Sequence, residues 1–304
     1  MGGSVNSPTP YGKKRSTYRK RESIHEILGM VTDRDIEICL DLYEHKTLTT
    51  HQLFELHFPS YHRARKRLLE LHRRAVINRI RPPKRPGSHP FHYVLGDLGA
   101  HLVAGYLGVE LKALKFKRDR VARLARSPHL RHLRETNSFF SRLAYACRAE
   151  DIGVRLREWL GELRAARAVY GFSKPDGLGV VESGDGEMSF FLELDRGTED
   201  WERLQIKLDH YRRIETYEEA PHAVLLCFHS EAREAGARRL AGCSVFTVAT
   251  TTLNRHLADP LGPVWLPWHG PRRVRLLELP RPERKHFETH YTQVPRDYDN
   301  EKWW

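Results

Sequence analysis

The sequence predicts a mixed α/β protein in two parts, a helical amino-terminal module followed by a carboxy-terminal α/β domain. Helical periodicity dominates residues 32–75, whereas apolar runs of strand length alternate with helical patterns over residues 132–249. A chain of 304 residues is long enough for two domains, and its apolar content of 40% allows each to bury a core.

Composition argues against membrane and secreted proteins. No apolar run approaches the roughly 20 residues that a membrane helix needs, and the opening MGGSVNSPTPYGKKRS lacks the apolar segment of a secretory signal. The cysteines are far apart, which favours buried free thiols over disulfides or zinc: Cys39, Cys147, Cys227 and Cys243. We therefore expect a cytoplasmic protein.

The net charge of +12 is unevenly distributed. Residues 1–130 contain 25 Lys/Arg against 12 Asp/Glu, whereas the remainder contains 26 against 27. A cationic excess confined to one part of a chain indicates a polyanion bound by that part. Nucleic acid fits better than an anionic membrane, because no basic helix has a clean apolar face with aromatic residues.

The helical module follows a basic tail, residues 1–23, that either sweeps across phosphates or is simply solvated. Capping residues at Thr32, Thr49-Thr50 and Ser60 predict three helices. Two short strand patterns, Val76–Ile80 and Phe91–Leu95, then flank the turn-rich PPKRPGSHP. Three helices and a basic hairpin predict a winged helix-turn-helix over residues 24–108.

The third helix is expected to enter a major groove of double-stranded DNA, and the hairpin tip to touch backbone or minor groove. A solvated charged face and a protein-binding winged helix are the alternatives, and RNA is a less favoured ligand. The predicted DNA-binding residues are His62, Arg63, Arg65, Lys66, Arg67 and Arg73 on the helix, with Lys84 and Arg85 on the hairpin.

Beyond a short helix ending at Gly108, residues 109–131 read as a basic helical linker interrupted at Ser127-Pro128. The α/β domain then takes the order helix, strand, strand, strand, helix, strand, helix, strand. Its predicted elements are a helix over His132–Glu150, strands at 154–163, 177–182 and 188–194, a helix capped by Thr198, a strand at His222–Phe228, a helix at Glu231–Leu240 and a strand at Val245–Ala249. The remaining tail is rich in Pro and Trp, and its residues 274–279 are a candidate edge strand.

One stretch, KPDGLGVVESGDGEMSFFLELDRGTEDWERLQIKLDHY at residues 174–211, reads as a hairpin and a helix. Asp176 opens the hairpin, and Glu193 and Asp195 close it on one strand face. Converging carboxylates repel one another unless a cation joins them, which favours a hard divalent metal. Asp176 stabilising a turn and Asp195 capping a helix are the alternatives, whereas Glu193 in a central strand needs a partner.

These residues resemble the PD-(D/E)XK nuclease superfamily. Pro175-Asp176 and Glu193-Leu194-Asp195 match its motif, except that Asp195 takes the usual lysine position. Lys207 lies where some members carry a migrated lysine, with Tyr211 one helical turn further on. The segments FFLELDRGTE and KLDHY are similar to the bacterial replication-relaxation family, which is associated with plasmid replication and DNA relaxation and is related to mobilisation relaxases.

The resemblance implies an αβββαβ nuclease core within residues 132–256, before a Pro/Trp-rich extension over residues 257–304. It implies Mg²⁺ or Mn²⁺ held by Asp176 and Glu193 with the Leu194 carbonyl, Asp195 as a further ligand and Lys207 as the activating lysine. Glu135 and Tyr211 are possible auxiliary residues.

The implied function is metal-dependent nicking or cleavage of a plasmid or mobile-element site. The alternative is a non-catalytic regulator or replication accessory protein with a degenerate nuclease fold. Another copy of this chain, or other replication and transfer proteins, are candidate partners; a covalent tyrosine mechanism stays open.

Overall fold

A computed structural model describes residues 29–82, 90–117, 123–150, 152–168, 173–198, 200–214, 221–240 and 247–281. The described residues from Thr32 onward belong to one compact unit. Among them, no helix combines the length and the apolar character needed to cross a lipid bilayer. Cys39, Cys147 and Cys227 are buried free thiols, as predicted, and Cys243 lies outside the described residues.

The first group of elements, which we call the helical module, packs its helices around a small antiparallel sheet of order β1-β3-β2. It contains α1 (Asp33–Glu44), β1 (Leu48–Thr49), α2 (Thr50–His57), α3 (Tyr61–Arg73), β2 (Ile77–Ile80), β3 (His92–Leu95) and α4 (Asp97–Tyr106). The predicted hairpin is β2–β3, and strand β1, which the sequence analysis missed, pairs Leu48 with Tyr93.

Local capping explains where the helices of this module begin. Thr32 and Asp35 form a capping box before α1, Thr49 forms another with Gln52, and the Ser60 hydroxyl accepts from the Arg63 amide. These side chains satisfy amides that the first helical turn leaves without a partner, so the three predicted helix starts are confirmed.

The linker was predicted as helical with an interruption at Ser127-Pro128, but its described residues already leave the helical conformation before that point. A 3-10 turn at Leu111–Leu114 ends at Lys115, whose backbone has a positive φ of 47°. This left-handed conformation terminates a right-handed helix. The next long helix, α5, begins at Leu130.

The second group, which we call the sheet domain, contains a mixed sheet of six strands in the order β4 to β9. Its elements are α5 (Leu130–Glu150), β4 (Arg155–Gly161), α6 (Glu162–Arg167), β5 (Gly177–Ser183), β6 (Gly186–Asp195), α7 (Trp201–Ile214), β7 (Ala223–Phe228), α8 (Glu231–Ala237), β8 (Thr247–Thr252), α9 (Leu253–Ala258), β9 (Leu266–Pro267) and a 3-10 turn (Leu276–Glu278). Strands β4, β5 and β6 are antiparallel, β6 to β8 are parallel, and β9 is antiparallel to β8.

The sheet is buried on both faces, so the side chains of its central strands are mostly apolar. On β6, Phe190 packs toward α5 and Phe191 packs toward α7, because successive side chains point to opposite faces. A Cβ atom on Gly179 would lie 2.4 Å from the Phe190 ring, so only glycine fits at that position.

Two local predictions for the sheet domain are wrong. Helix α7 begins at Trp201, and the carboxylate of Asp200, not Thr198, accepts from the Arg203 amide at 2.8 Å. The segment 274–279 is no edge strand: apart from one bridge it is a 3-10 turn, and β9 is the edge. Trp265 and Trp268 of the extension pack into the sheet domain, whereas Trp303 and Trp304 lie outside the described residues.

Candidate active site

Asp176 and Glu193 are brought together by the pairing of β5 with β6. Gly177 lies opposite Leu192, which places Asp176 at the level of Glu193 on the neighbouring strand. The Asp176 amide donates to the Leu192 carbonyl at 2.9 Å, and its Oδ2 accepts from the Leu194 amide at 2.7 Å. The hairpin therefore fixes Asp176 by its main chain and its side chain.

Glu193 is buried at the end of β6 and is held by two side chains of α7. Lys207 Nζ lies 3.0 Å from Oε2, and the Tyr211 hydroxyl donates to Oε1 at 2.5 Å. Lys207 and Tyr211 are four residues apart, so they occupy the same face of the helix. Glu193 thus has the partners that a carboxylate in a central strand requires.

The electrostatics of Glu193 combine opposing effects. Burial, together with the nearby charge of Asp176, raises its pKa to about 7, although Lys207 and the Tyr211 hydroxyl favour the charged form. A carboxyl group with this pKa exchanges its proton near neutral pH, as residues at functional sites commonly do.

Tyr211 has no exposed surface, so its hydroxyl is inaccessible to a phosphodiester. Burial and the neighbouring Glu193 raise its pKa well above the ordinary value. The geometry gives Tyr211 the role of orienting Glu193 and leaves the covalent tyrosine mechanism without an available nucleophile at this position.

His132 is a residue of the site that the sequence analysis missed. It lies in the first turns of α5, and its Nε2 is 2.7 Å from Asp176 Oδ1. Burial disfavours the charged imidazole, but the hydrogen bond to Asp176 together with the negative charges of Asp176 and Glu193 outweighs it and raises the pKa of His132. The sequence offered one signal for His132: it precedes Glu135 by three residues, which places both side chains on the same face of the helix.

Glu135, the predicted auxiliary ligand, is surrounded by arginines in the structure. Its Oε1 accepts from Arg131 at 2.8 Å, and its Oε2 lies 3.5 Å from Arg196 Nε. His132, rather than Glu135, is therefore the side chain of α5 that contacts Asp176.

Asp195 lies on the same strand face as Glu193, as predicted, but its carboxylate has structural partners. Arg233 of α8 donates to Oδ2 through Nη2 at 2.8 Å and Nε at 3.1 Å, and the Gly197 amide donates to Oδ1. The Arg233 guanidinium also stacks over Trp201 at 3.6 Å. In this arrangement Asp195 joins the end of β6 to α8, and its predicted role as a metal ligand stays a prediction.

A small cavity adjoins these groups; Glu193, Leu194, Asp195, Leu204, Lys207, Leu226 and Phe228 line it. Within the described ranges, no group of three or more His, Cys, Asp and Glu side chains is arranged to hold a metal ion. The pair Asp176 and Glu193 still fits a hard cation, since Mg²⁺ is generally bound through one or two carboxylates, with water and substrate phosphate completing its shell.

Helix α3 presents most of its predicted cationic residues to solvent: His62, Arg63, Arg65, Lys66 and Arg73 are exposed. Arg67 is the exception, because its Nε donates to Asp35 at 3.0 Å and its Nη1 to Glu70 at 2.8 Å. Arg67 therefore joins α3 to α1, and its predicted contact with DNA stays a prediction. Lys84 and Arg85 lie outside the described residues.

The structure adds two cations that the sequence analysis did not select. Arg79 and Arg81 of the hairpin are exposed, and their guanidinium groups lie 4.4 Å and 3.8 Å from the centre of the Phe91 ring. Stacking on the ring holds both charges at the surface of the hairpin, beside α3.

Comparison with known proteins assigns the family. The profile of the replication-relaxation family matches residues 40–225. The chain belongs to the replication-relaxation family. This membership indicates a role in plasmid or mobile-element replication or relaxation. No curated protein and no solved structure matches the chain. The matched residues extend from the helical module through Glu193, Lys207 and Tyr211 to β7, so the family signal covers the candidate site.

Proposed function

We propose that this replication-relaxation protein binds duplex DNA through its helical module and nicks or cleaves it in its sheet domain when a divalent cation is bound. The observation that carries the proposal is Glu193. A buried carboxylate held by Lys207 and Tyr211, with Asp176 beside it at the end of a hairpin, is the constellation that a PD-(D/E)XK nuclease with a migrated lysine would present.

The order of elements supports the same assignment. From α5 to β7 the sheet domain runs helix, three antiparallel strands, helix and a strand parallel to β6, with the short α6 inserted after β4. This order supports the proposed αβββαβ nuclease core. The helical module has three helices and a hairpin of which β3 also pairs with β1, which supports the proposed winged helix.

Asp176 and Glu193 would hold Mg²⁺ or Mn²⁺. Bound there, the cation would polarise the phosphate and lower the pKa of a bound water. Three side chains of the protein assist. His132 orients Asp176, and Tyr211 orients Glu193. Lys207 is placed to offset negative charge that develops on the phosphate.

The test is the conversion of supercoiled plasmid carrying the native locus to open circles in Mg²⁺, Mn²⁺ or EDTA. Glu193→Gln and Lys207→Met should lose nicking by 100-fold or more, on the order of a lost metal ligand or charge stabiliser, and should bind DNA normally. Glu202→Gln, an exposed position on the same helix as Lys207, is the matched control and should cut like wild type. Nicking that survives in EDTA, or in Glu193→Gln, would contradict the proposal.

A non-catalytic DNA-binding regulator is the second candidate, and one observation favours it. Glu193 and Asp195 each already pair with a cation of the protein, Lys207 and Arg233, so part of their charge is offset without a metal. Wild type that binds DNA in a salt-dependent manner, but cuts in no metal, would establish this reading.

A further inference from the structure

Helix α5 belongs to the candidate active site at one end and to the helical module along its middle. His132 contacts Asp176 at 2.7 Å. Only five residues further along, Asn137 Nδ2 donates to the carbonyl of Thr47, in the loop before β1, at 2.7 Å. An α-helix rises only about 1.5 Å per residue. The two contacts are therefore made by neighbouring turns of the same helix.

The interface between α5 and α2 is buried and polar. Gln52 Nε2 donates to the Arg134 carbonyl at 2.8 Å and to Ser138 Oγ at 2.9 Å. The Ser141 hydroxyl donates to Glu55 Oε2 at 2.6 Å. Relative movement of the two helices would leave these buried groups without partners, so the interface resists sliding.

Strand β4 adds a second line of attachment. The Gly161 amide donates to Glu44 Oε1 at 2.9 Å, and the His45 ring stacks on Trp159 with 3.5 Å between centroids. His45 and Glu44 lie at the end of α1, so α5 and β4 of the sheet domain both contact the helical module directly.

We propose that these contacts hold α3 and the Glu193 site as one rigid body, so that the cut falls at a fixed number of base pairs from the sequence that α3 binds. Asn137, Gln52 and Glu55 are then specificity-determining residues that set the position of the cut, although none of them touches DNA or the reacting phosphate. This inference rests on the proposed function, and its test separates the two.

The test places an iron–EDTA chelate on Ile206→Cys, which lies beside Lys207 and is 47% exposed in the wild type. All samples carry Cys243→Ser; the other cysteines are buried. Hydroxyl radicals from the chelate cut DNA close to the Glu193 site. They therefore report where that site lies on bound DNA without requiring any nuclease activity. The same samples without chelate, in Mg²⁺ or Mn²⁺, report the protein's own cuts.

We expect radical cuts confined to one narrow position relative to the bound sequence. Insertion of six Gly/Ser residues after Lys117 should leave that position unchanged, because the linker does not set it. Asn137→Ala combined with Gln52→Ala should spread the cuts over several base pairs. Glu150→Ala, which changes an exposed side chain of α5, should leave the cuts at one position.

Radical cuts that are absent or scattered in the wild type, or displaced by the insertion, would overturn the rigid coupling, even if the protein nicks DNA. Focused radical cuts without metal-dependent cuts would refute the proposed nuclease, and the fixed nick position with it, while the rigid placement of α3 would stand. If Asn137→Ala with Gln52→Ala does not fold, the insertion variant still decides.

Discussion

At the scale of single residues, Glu193 shows a conflict between burial and negative charge. Its carboxylate is buried in the strand that runs through the middle of the sheet, and Asp176 adds a second negative charge nearby. Lys207 and Tyr211 offset part of this cost without removing it, which is why the pKa of Glu193 rises to about 7. A divalent cation would relieve the same conflict.

This conflict predicts how stability depends on pH. The folded state holds the Glu193 proton up to about pH 7, whereas a glutamate in the unfolded chain releases it near pH 4.3. Stability contributed by the bound proton is therefore present at low pH and is lost as pH rises through that window. Glu193→Gln should gain stability relative to wild type by up to about 4 kcal/mol at pH 8 but little at pH 4.

Thermal unfolding of both proteins at the two pH values measures this difference. Glu150→Gln, at the exposed end of α5, is the control for a lost charge without burial. An equal change for Glu193→Gln at both pH values would show that the proton on Glu193 does not contribute.

At the scale of elements, two buried ion pairs fasten helices in place. Arg67 joins α3 to Asp35 of α1, and Arg233 of α8 joins Asp195 at the end of β6. Hydrogen bonds from Arg67 and Thr32 lower the pKa of Asp35, although burial alone would raise it. Each pair includes one residue that the sequence marked as functional, Arg67 or Asp195, because a charge pattern does not show where the partner of a charge lies.

The Arg67 pair predicts that neighbouring arginines of α3 behave differently when they are replaced. Arg67→Ala should cost about 3 kcal/mol of stability, since it leaves Asp35 buried and unpaired. Arg63→Ala should change stability by less than about 0.5 kcal/mol while weakening DNA binding and lowering the salt slope by about 1. Urea denaturation and binding titrations at several salt concentrations measure both; equal stability of the two variants would contradict the assignment of Arg67.

The ion pair between Arg233 and Asp195 predicts that replacing Arg233 lowers the stability of the protein. Arg233→Met should destabilise the protein by about 3 kcal/mol, because Asp195 is then buried without its cation. Arg255→Met, which removes the exposed partner of Glu231, should cost less than about 1 kcal/mol. If Asp195→Asn abolished nicking at unchanged stability, Asp195 would be a ligand of the site after all, and this structural reading would be wrong.

At the scale of the whole molecule, charge is distributed unevenly between the first part of the chain and the sheet domain. The excess of cations lies in residues 1–130, which hold the tail and the helical module, whereas the sheet domain is close to neutral. In the proposed function, long-range attraction of DNA would therefore belong to the first part, and the acidic site would act only on DNA already bound.

The tail supplies a prediction at this scale. Residues 1–23 carry six Lys/Arg against one Glu, so their deletion should weaken binding to random-sequence DNA and flatten its salt dependence. The melting temperature should stay the same, because the tail contains too few apolar residues to add to a core. Fluorescence anisotropy at graded salt measures the first effect and calorimetry the second; an unchanged salt slope would mean that the tail does not contact phosphates.

The sequence alone determined what depends on neighbouring residues: the caps at Thr32, Thr49 and Ser60, the hairpin that sets Asp176 beside Glu193, and the helix that carries Lys207 and Tyr211. Hydrogen bonding and side-chain periodicity act over a few residues, so the order of letters specifies them. Only the tertiary structure decided which side chains are partners across the fold. His132 reaches Asp176 over 44 residues, Arg233 reaches Asp195 over 38, and Asn137 reaches Thr47 over 90. Such pairs depend on how helices pack on the sheet, and no local pattern encodes that distance.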